Sequence, residues 1–136
     1  MLGTYLVHGF LIHEIGDVSD NCAASGGHFN PTNQNHGGPD TEVRHLGDLG
    51  NIEADSDGNV KINIEVHKGT TLFGVNTMIG RTVVIHEGED TLDPSSTSGN
   101  AGSRLACGII TDSSGFSSEA IQNSDLSAIV GEGKLC

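Results

Sequence analysis

The sequence predicts a single all-β domain, an antiparallel sandwich or barrel. Three observations carry this. Residues 60–66 alternate strictly: Val60, Ile62, Ile64 and Val66 with Lys61, Asn63 and Glu65 between them. That is the period of a strand with one buried face. Short apolar, β-branched runs recur elsewhere, separated by turn signals. Twenty glycines stand against four Phe, one Tyr and no Trp, so turns are many and the core is built from Val, Ile, Leu and Ala. At 136 residues one such domain buries roughly 68% of its unfolded surface.

The elements follow in chain order. Residues 7–15 have β character. Residues 17–42 form a long loop rich in Gly, Pro and Asn. Residues 51–54 pair with 60–66 across the turn Ser56-Asp57-Gly58-Asn59, whose Asp-Gly pair is a hairpin signal. Residues 83–85 and 105–110 are short buried strands. Between them, 87–104 is a second long loop. Loops of this length without structure of their own are usually functional. In the last stretch, residues 117–130 fit a weak amphipathic helix (Ile121, Leu126, Ile129, Val130) about as well as a polar tail.

The formal charge of −12 argues against nucleic acid as a partner. No run approaches 18 apolar residues, so no helical membrane span is expected. The first residues, MLGTYLVHGF, lack the basic and long apolar regions of a signal peptide. The cytoplasm is therefore the expected compartment, with secretion as the alternative if a leader precedes this sequence.

Two stretches concentrate chemistry. Cys22 to Asn51 holds His28, His36, His45 and Asp48. Gly80 to Gly108 adds His86 after an apolar run and Arg104 close to Cys107. Three imidazoles and one carboxylate make a tetrahedral zinc set with no position left for water, and imidazole also suits copper. Glycine and proline can fix the unusual backbone angles that hold ligands in a loop. The bland alternative is a set of solvent-exposed loop histidines.

These segments, with HGFLIHEIGD (His8 to Asp17), resemble the copper/zinc superoxide dismutase family. GHFNP, RHLGDLGN, GRTVVIHE and GNAGSRLACG carry the resemblance, which runs from about Leu6 to Ile110. It implies a Greek-key β-sandwich with a metal-binding loop and an electrostatic loop, here over residues 1–110, followed by a tail, 111–136. It implies zinc on His28, His36, His45 and Asp48, and copper on His13, His86 and a bridging His28. Asp90 would hold a zinc histidine and a copper histidine through their outer N–H groups. Arg104 would draw in superoxide, and His28 would relay a proton to the peroxide formed. Cys22 and Cys107 would form a disulfide, leaving Cys136 free or intermolecular. A homodimer would use the segments near Gly16, Ile79-Gly80 and the C-terminal strand.

Departures from the family pattern also carry expectations. The pattern Gly-Phe-His-x-His-Glu reads Gly9-Phe10-Leu11-Ile12-His13-Glu14 here, so Leu11 stands where a copper-binding imidazole is expected. His8 lies on the opposite strand face and is a poor substitute. Three imidazoles suit copper(I) better than tetragonal copper(II), so the reduction potential should rise. The loop after Asp90, TLDPSSTSG, has no lysine, so anion steering should be weak. The resemblance also implies three strands before the start of this sequence, making the sandwich N-terminally truncated.

Two functions compete. One is an antioxidant oxidoreductase that converts superoxide to oxygen and hydrogen peroxide. The other is a degenerate, non-catalytic zinc-binding protein, a metal store or interaction module. A copper chaperone is a weaker third, since no Cys-rich copper motif is present.

Overall fold

A computed structural model describes residues 6–112 of the chain. Four antiparallel strands form one sheet: β1 (Val7–His13), β2 (Asp48–Glu53), β3 (Thr82–His86) and β4 (Arg104–Ile109). Their order is β2-β1-β3-β4, so β1 pairs with both β2 and β3 while β2 and β4 are edges. The only helical turn among the described residues is a 3-10 turn, Ala23–Ser25. This is the all-β, superoxide dismutase-like sandwich that the sequence predicts.

Side-chain alternation divides the sheet into two chemically distinct faces. On β1, Phe10 and Ile12 join Val83 and Ile85 of β3 in a core with Phe29, Leu49, Ile52, Met78 and Ile110. The other face carries Gly9, Leu11 and His13 of β1. In the β1–β3 register Leu11 lies beside Val84 and His13 beside Thr82. Arg104 of β4 lies opposite His86. The second face is the floor of the site. β2 carries an irregularity where Gly9 pairs with Asn51 but Leu11 pairs with Asp48. Gly50, at φ 89°, absorbs it.

The expected strand 60–66 is not a strand in a ladder, and this corrects the sequence reading. Val60 makes one isolated bridge with Ala54, and the segment then runs without ladder partners among the described residues. The alternation itself survives: Val60, Ile62, Ile64 and Val66 are half-buried against the core cluster, while Lys61, Asn63 and Glu65 are exposed. Periodicity reports burial of one face; a ladder also needs a neighbouring backbone. The predicted turn is present, with Asp55 N–H donating to Asn59 O (2.9 Å) and Gly58 N–H to Asp55 O (3.0 Å). The proposed helix at 117–130, and Cys136, lie outside the described residues.

Both long loops fold back onto the second face. The first is tied down by a disulfide, Cys22–Cys107, with Cα atoms 6.0 Å apart and a separation of 85 residues in sequence. It joins the loop to β4, as the resemblance implied.

Candidate metal centre

Six sequence-selected side chains meet on the floor of the sheet. His28, His36, His45 and Asp48 form one buried group of donors, and His13, His28 and His86 another. Asp48 sits at the start of β2 rather than in a loop, so the sheet itself carries one donor of the first group.

Within the first group the donor spacings are informative. Asp48 Oδ1 lies 3.0 Å from His28 Nδ1 and 3.2 Å from His45 Nδ1. The two Nδ1 atoms are 3.3 Å apart. Asp48 Oδ2 lies 3.1 Å from His36 Nδ1. Donors bound about 2.0–2.1 Å from a tetrahedral zinc stand roughly 3.3 Å apart. His36 Nδ1 is buried and within 3.1 Å of the carboxylate, yet it makes no hydrogen bond. Its lone pair converges with the other donors instead of pairing with one of them. The donor set fits zinc.

Polar contacts behind these donors fix them. Asp48 Oδ2 accepts the backbone N–H of Gly37 (3.0 Å) and of His45 (2.9 Å). His36 Nε2 lies 2.7 Å from Asp90 Oδ1. Gly99 must be glycine: its φ is 68°, and a Cβ there would overlap Asp90 Oδ1. Arg44, only 2% exposed, donates to the backbone oxygens of Asp48 (3.0 Å) and Pro39 (3.3 Å). It thereby ties both sides of the loop that carries His36 and His45. Sequence reasoning missed Arg44 and Gly99, although the arginine precedes His45 directly.

In the second group the tautomers follow from carbonyl partners, since a carbonyl can only accept. His13 Nδ1–H donates to Gly26 O (2.8 Å), and His86 Nδ1–H to Gly102 O (2.9 Å). Each ring therefore presents a bare Nε2, and these lie 3.2 Å apart. Such outer hydrogen bonds orient a metal-binding imidazole. His28 commits Nδ1 to the first group and has Nε2 for the second, so one ring joins both. His8 points to the other face and donates Nδ1–H to His86 O (2.8 Å). It supports the backbone of β3 and offers no donor to the group.

Leu11 is fully buried, yet it is not part of the main core cluster. Beside this face, Asp90 uses one carboxylate oxygen on His36, and its Oδ2 is buried with no hydrogen-bond partner. Asp90 is thus bonded to one ring here, not two.

Arg104 is held by the disulfide loop. One guanidinium nitrogen, Nη1, donates to Cys22 O (2.6 Å), Ala23 O (3.1 Å) and Ser25 Oγ (2.9 Å), and Nη2 donates to Gly26 O (2.6 Å). Gly26 O thus serves both Arg104 and His13. The guanidinium keeps its Nε–H and one Nη2–H free of these bonds.

The charges around the groups differ in sign. Burial lowers the His13 pKa to about 3, aided by His28, Arg104 and His86 and opposed only by the Gly26 carbonyl. Burial also lowers His86. Burial opposes protonation of His36 too, but Asp48 and Asp90 outweigh it and raise its pKa to about 9. Burial pushes the Asp48 carboxyl up, and the close imidazoles of His28, His36 and His45 overcome this and hold it well below the usual range.

A pH dependence of the metal-free protein follows. His13, depressed, contributes stability that is complete above its unperturbed value of 6.5 and lost as pH falls towards 3. His36, raised, contributes stability that is complete below 6.5 and lost as pH rises through 9. The melting temperature should therefore peak near pH 6.5 and decline on both sides. Zinc requires a bare His36 nitrogen, so zinc-loaded protein should keep its stability between pH 6.5 and 9. Melting curves across pH, with and without zinc, measure this; identical profiles would contradict it.

Comparison with known proteins agrees with this geometry. The family model described as copper/zinc superoxide dismutase matches residues 4–110. The chain belongs to the copper/zinc superoxide dismutase family. It is 51% identical over 108 residues to superoxide dismutase (Cu-Zn) 5 of Dictyostelium discoideum, covering 76% of this chain and 70% of that protein. Copper and zinc are the cofactors that this family implies, and both donor groups suit metal ions. Among the described residues no helix is long and apolar enough to cross a membrane.

Proposed function

We propose that the chain is a superoxide dismutase whose copper site has three imidazoles. The observation that carries this is His28, whose ring stands in both buried donor groups. Zinc would be held by His28, His36, His45 and Asp48, and copper by His13, His28 and His86. Copper there would supply the one-electron chemistry that interconverts superoxide, oxygen and peroxide.

The chain's own residues supply the rest. Arg104, with two N–H groups uncommitted, is a fixed cation that attracts and orients an anion in an otherwise acidic protein. His13 and His86 stay unprotonated because burial depresses both, so their Nε2 lone pairs are available. His28 would hold a proton at Nε2 and pass it to the peroxide product. Asp48 and Asp90 hold His28 and His36 in place. The domain would span residues 1–110, with 111–136 as a tail.

Leu11 stands, in this reading, at the place of a fourth imidazole. Strand parity supports it, since positions 9, 11 and 13 share a face. So does the unpaired Asp90 Oδ2, which lacks an N–H to accept. Leu11→His should supply both. Copper(II) affinity should rise by at least tenfold, and the spin-resonance spectrum should become more tetragonal. Unchanged affinity and spectrum would contradict the placement. A non-catalytic zinc protein is the second reading, and Leu11 is the observation that favours it.

A further inference from the structure

Of the groups that hold Arg104, all but one belong to the backbone. The carbonyls of Cys22, Ala23 and Gly26 would be present whatever side chains those positions carried. Ser25 is the exception. Its Oγ lies 2.9 Å from Arg104 Nη1, and it is the one side chain that bonds this guanidinium among the described residues.

The polarity of that contact is fixed. Ser25 is fully buried, and its hydroxyl donates to Cys22 O at 2.7 Å. With its hydrogen committed, Oγ can only accept from Arg104. Nη1 has two hydrogens and faces three acceptors: Cys22 O, Ala23 O and Ser25 Oγ. The two carbonyls are enough to satisfy Nη1, so the hydroxyl is not needed to pair a buried charge. A third acceptor does something else. It narrows the angles the guanidinium can take, which two carbonyls leave wider. Cys22 O does not depend on the hydroxyl either, since it also accepts the Ser25 backbone N–H (3.2 Å).

The chain is bent for this contact. Asp20, Asn21 and Cys22 take φ of 52°, 50° and 68° in succession, a left-handed run that side chains other than glycine seldom adopt. It leads into the 3-10 turn Ala23–Ser25, so that Cys22 O, Ala23 O and Ser25 Oγ all reach one nitrogen. With Nη1 engaged and Nη2 held by Gly26 O, the Nε–H and one Nη2–H are what remains for an anion.

We propose that Ser25 is a positioning residue for the anion site: its hydroxyl sets the angle at which Arg104 presents its uncommitted N–H groups. This rests on the reading of Arg104 as the cation that attracts and orients an anion. Ser25 itself touches neither the anion nor the donors of the metal groups.

Azide is a suitable probe, a small monoanion whose binding to copper(II) is followed by its absorption band without any turnover. In the full chain loaded with zinc and copper, Ser25→Ala should weaken azide binding by roughly three- to tenfold, the range of one net hydrogen bond. Copper content and melting temperature should stay close to the parent's, because Arg104 and Cys22 O keep other partners. Arg104→Gln should weaken azide further. Adding Ser25→Ala to Arg104→Gln should then change nothing more, since the hydroxyl acts through the guanidinium. Equal weakening by Ser25→Ala in both backgrounds would overturn the proposal. So would an unchanged azide affinity in Ser25→Ala, or a Ser25→Ala protein that loses copper or melts far lower, which would make the hydroxyl a part of the fold alone. If Arg104→Gln itself leaves azide affinity unchanged, the reading of Arg104 as the anion site falls, and the role of Ser25 falls with it.

Discussion

Asp48→Ala should abolish stoichiometric zinc binding and destabilise the fold even without metal. Asp48 is fully buried and stands within 3.0–3.2 Å of three imidazole nitrogens. It also accepts the N–H groups of Gly37 and His45. Removing it leaves those two donors unpaired, at about 1–3 kcal/mol each. It also strips the counter-charge that keeps His36 protonated near neutral pH in the metal-free protein. Breaking one side of a buried charge network typically costs about 3–5 kcal/mol. Groups that only orient a ligand change metal affinity about 10–100-fold, so losing a direct donor should exceed the upper figure. Zinc per chain after dialysis, together with melting temperature, measures both effects. A variant with the parent's zinc content and melting temperature would remove Asp48 from the site.

Replacing both Cys22 and Cys107 by Ser should cost about 4–5 kcal/mol in the chain-entropy account of a cross-link. The closing span is 85 residues, long enough for a large restriction of the unfolded chain. A local consequence should accompany the global one. The carbonyls of Cys22, Ala23 and Gly26 hold Arg104, and Gly26 O also holds His13. Releasing this loop frees the guanidinium and loosens one imidazole together. Denaturant unfolding in a Cys136→Ser background should show the lower stability. Superoxide turnover should fall further than metal content does. A loss of less than about 1 kcal/mol would mean that the disulfide restrains little.

Much of this site was legible in the residues because its parts are local. His45 and Asp48 sit three positions apart, and His28 and His36 eight apart, so one loop carries most of one donor group. The disulfide and the role of Arg104 were implied by the family resemblance rather than by spacing. What escaped the sequence depends on contacts made across the fold. Arg44 reaches the backbone of Asp48 and Pro39, and nothing in its sequence neighbours specifies those carbonyls. Gly99 is required by Asp90 and His36, nine and sixty-three positions away. Residues 60–66 failed in a different way. Their alternation correctly forecast which side chains face the core, but strand pairing belongs to two segments and cannot be read from one.

The Asp90 carboxylate shows where sequence and structure inform each other. A substitution at position 11 predicts a missing imidazole, and the structure has a buried carboxylate oxygen with no donor. The two together identify position 11 as the point at which a weakened catalyst and a protein that only binds metal differ.

Superoxide turnover per bound copper, in the parent chain and in Leu11→His side by side, separates them most directly. Both proteins would be loaded with zinc and copper, freed of loose metal by chelation, and assayed against a matched free-copper background. The dismutase reading predicts turnover above background in the parent, a clear increase in Leu11→His, and loss in both when Arg104 is replaced by Gln. If Leu11→His binds one copper per chain and still consumes superoxide no faster than the background, the chain is not a dismutase.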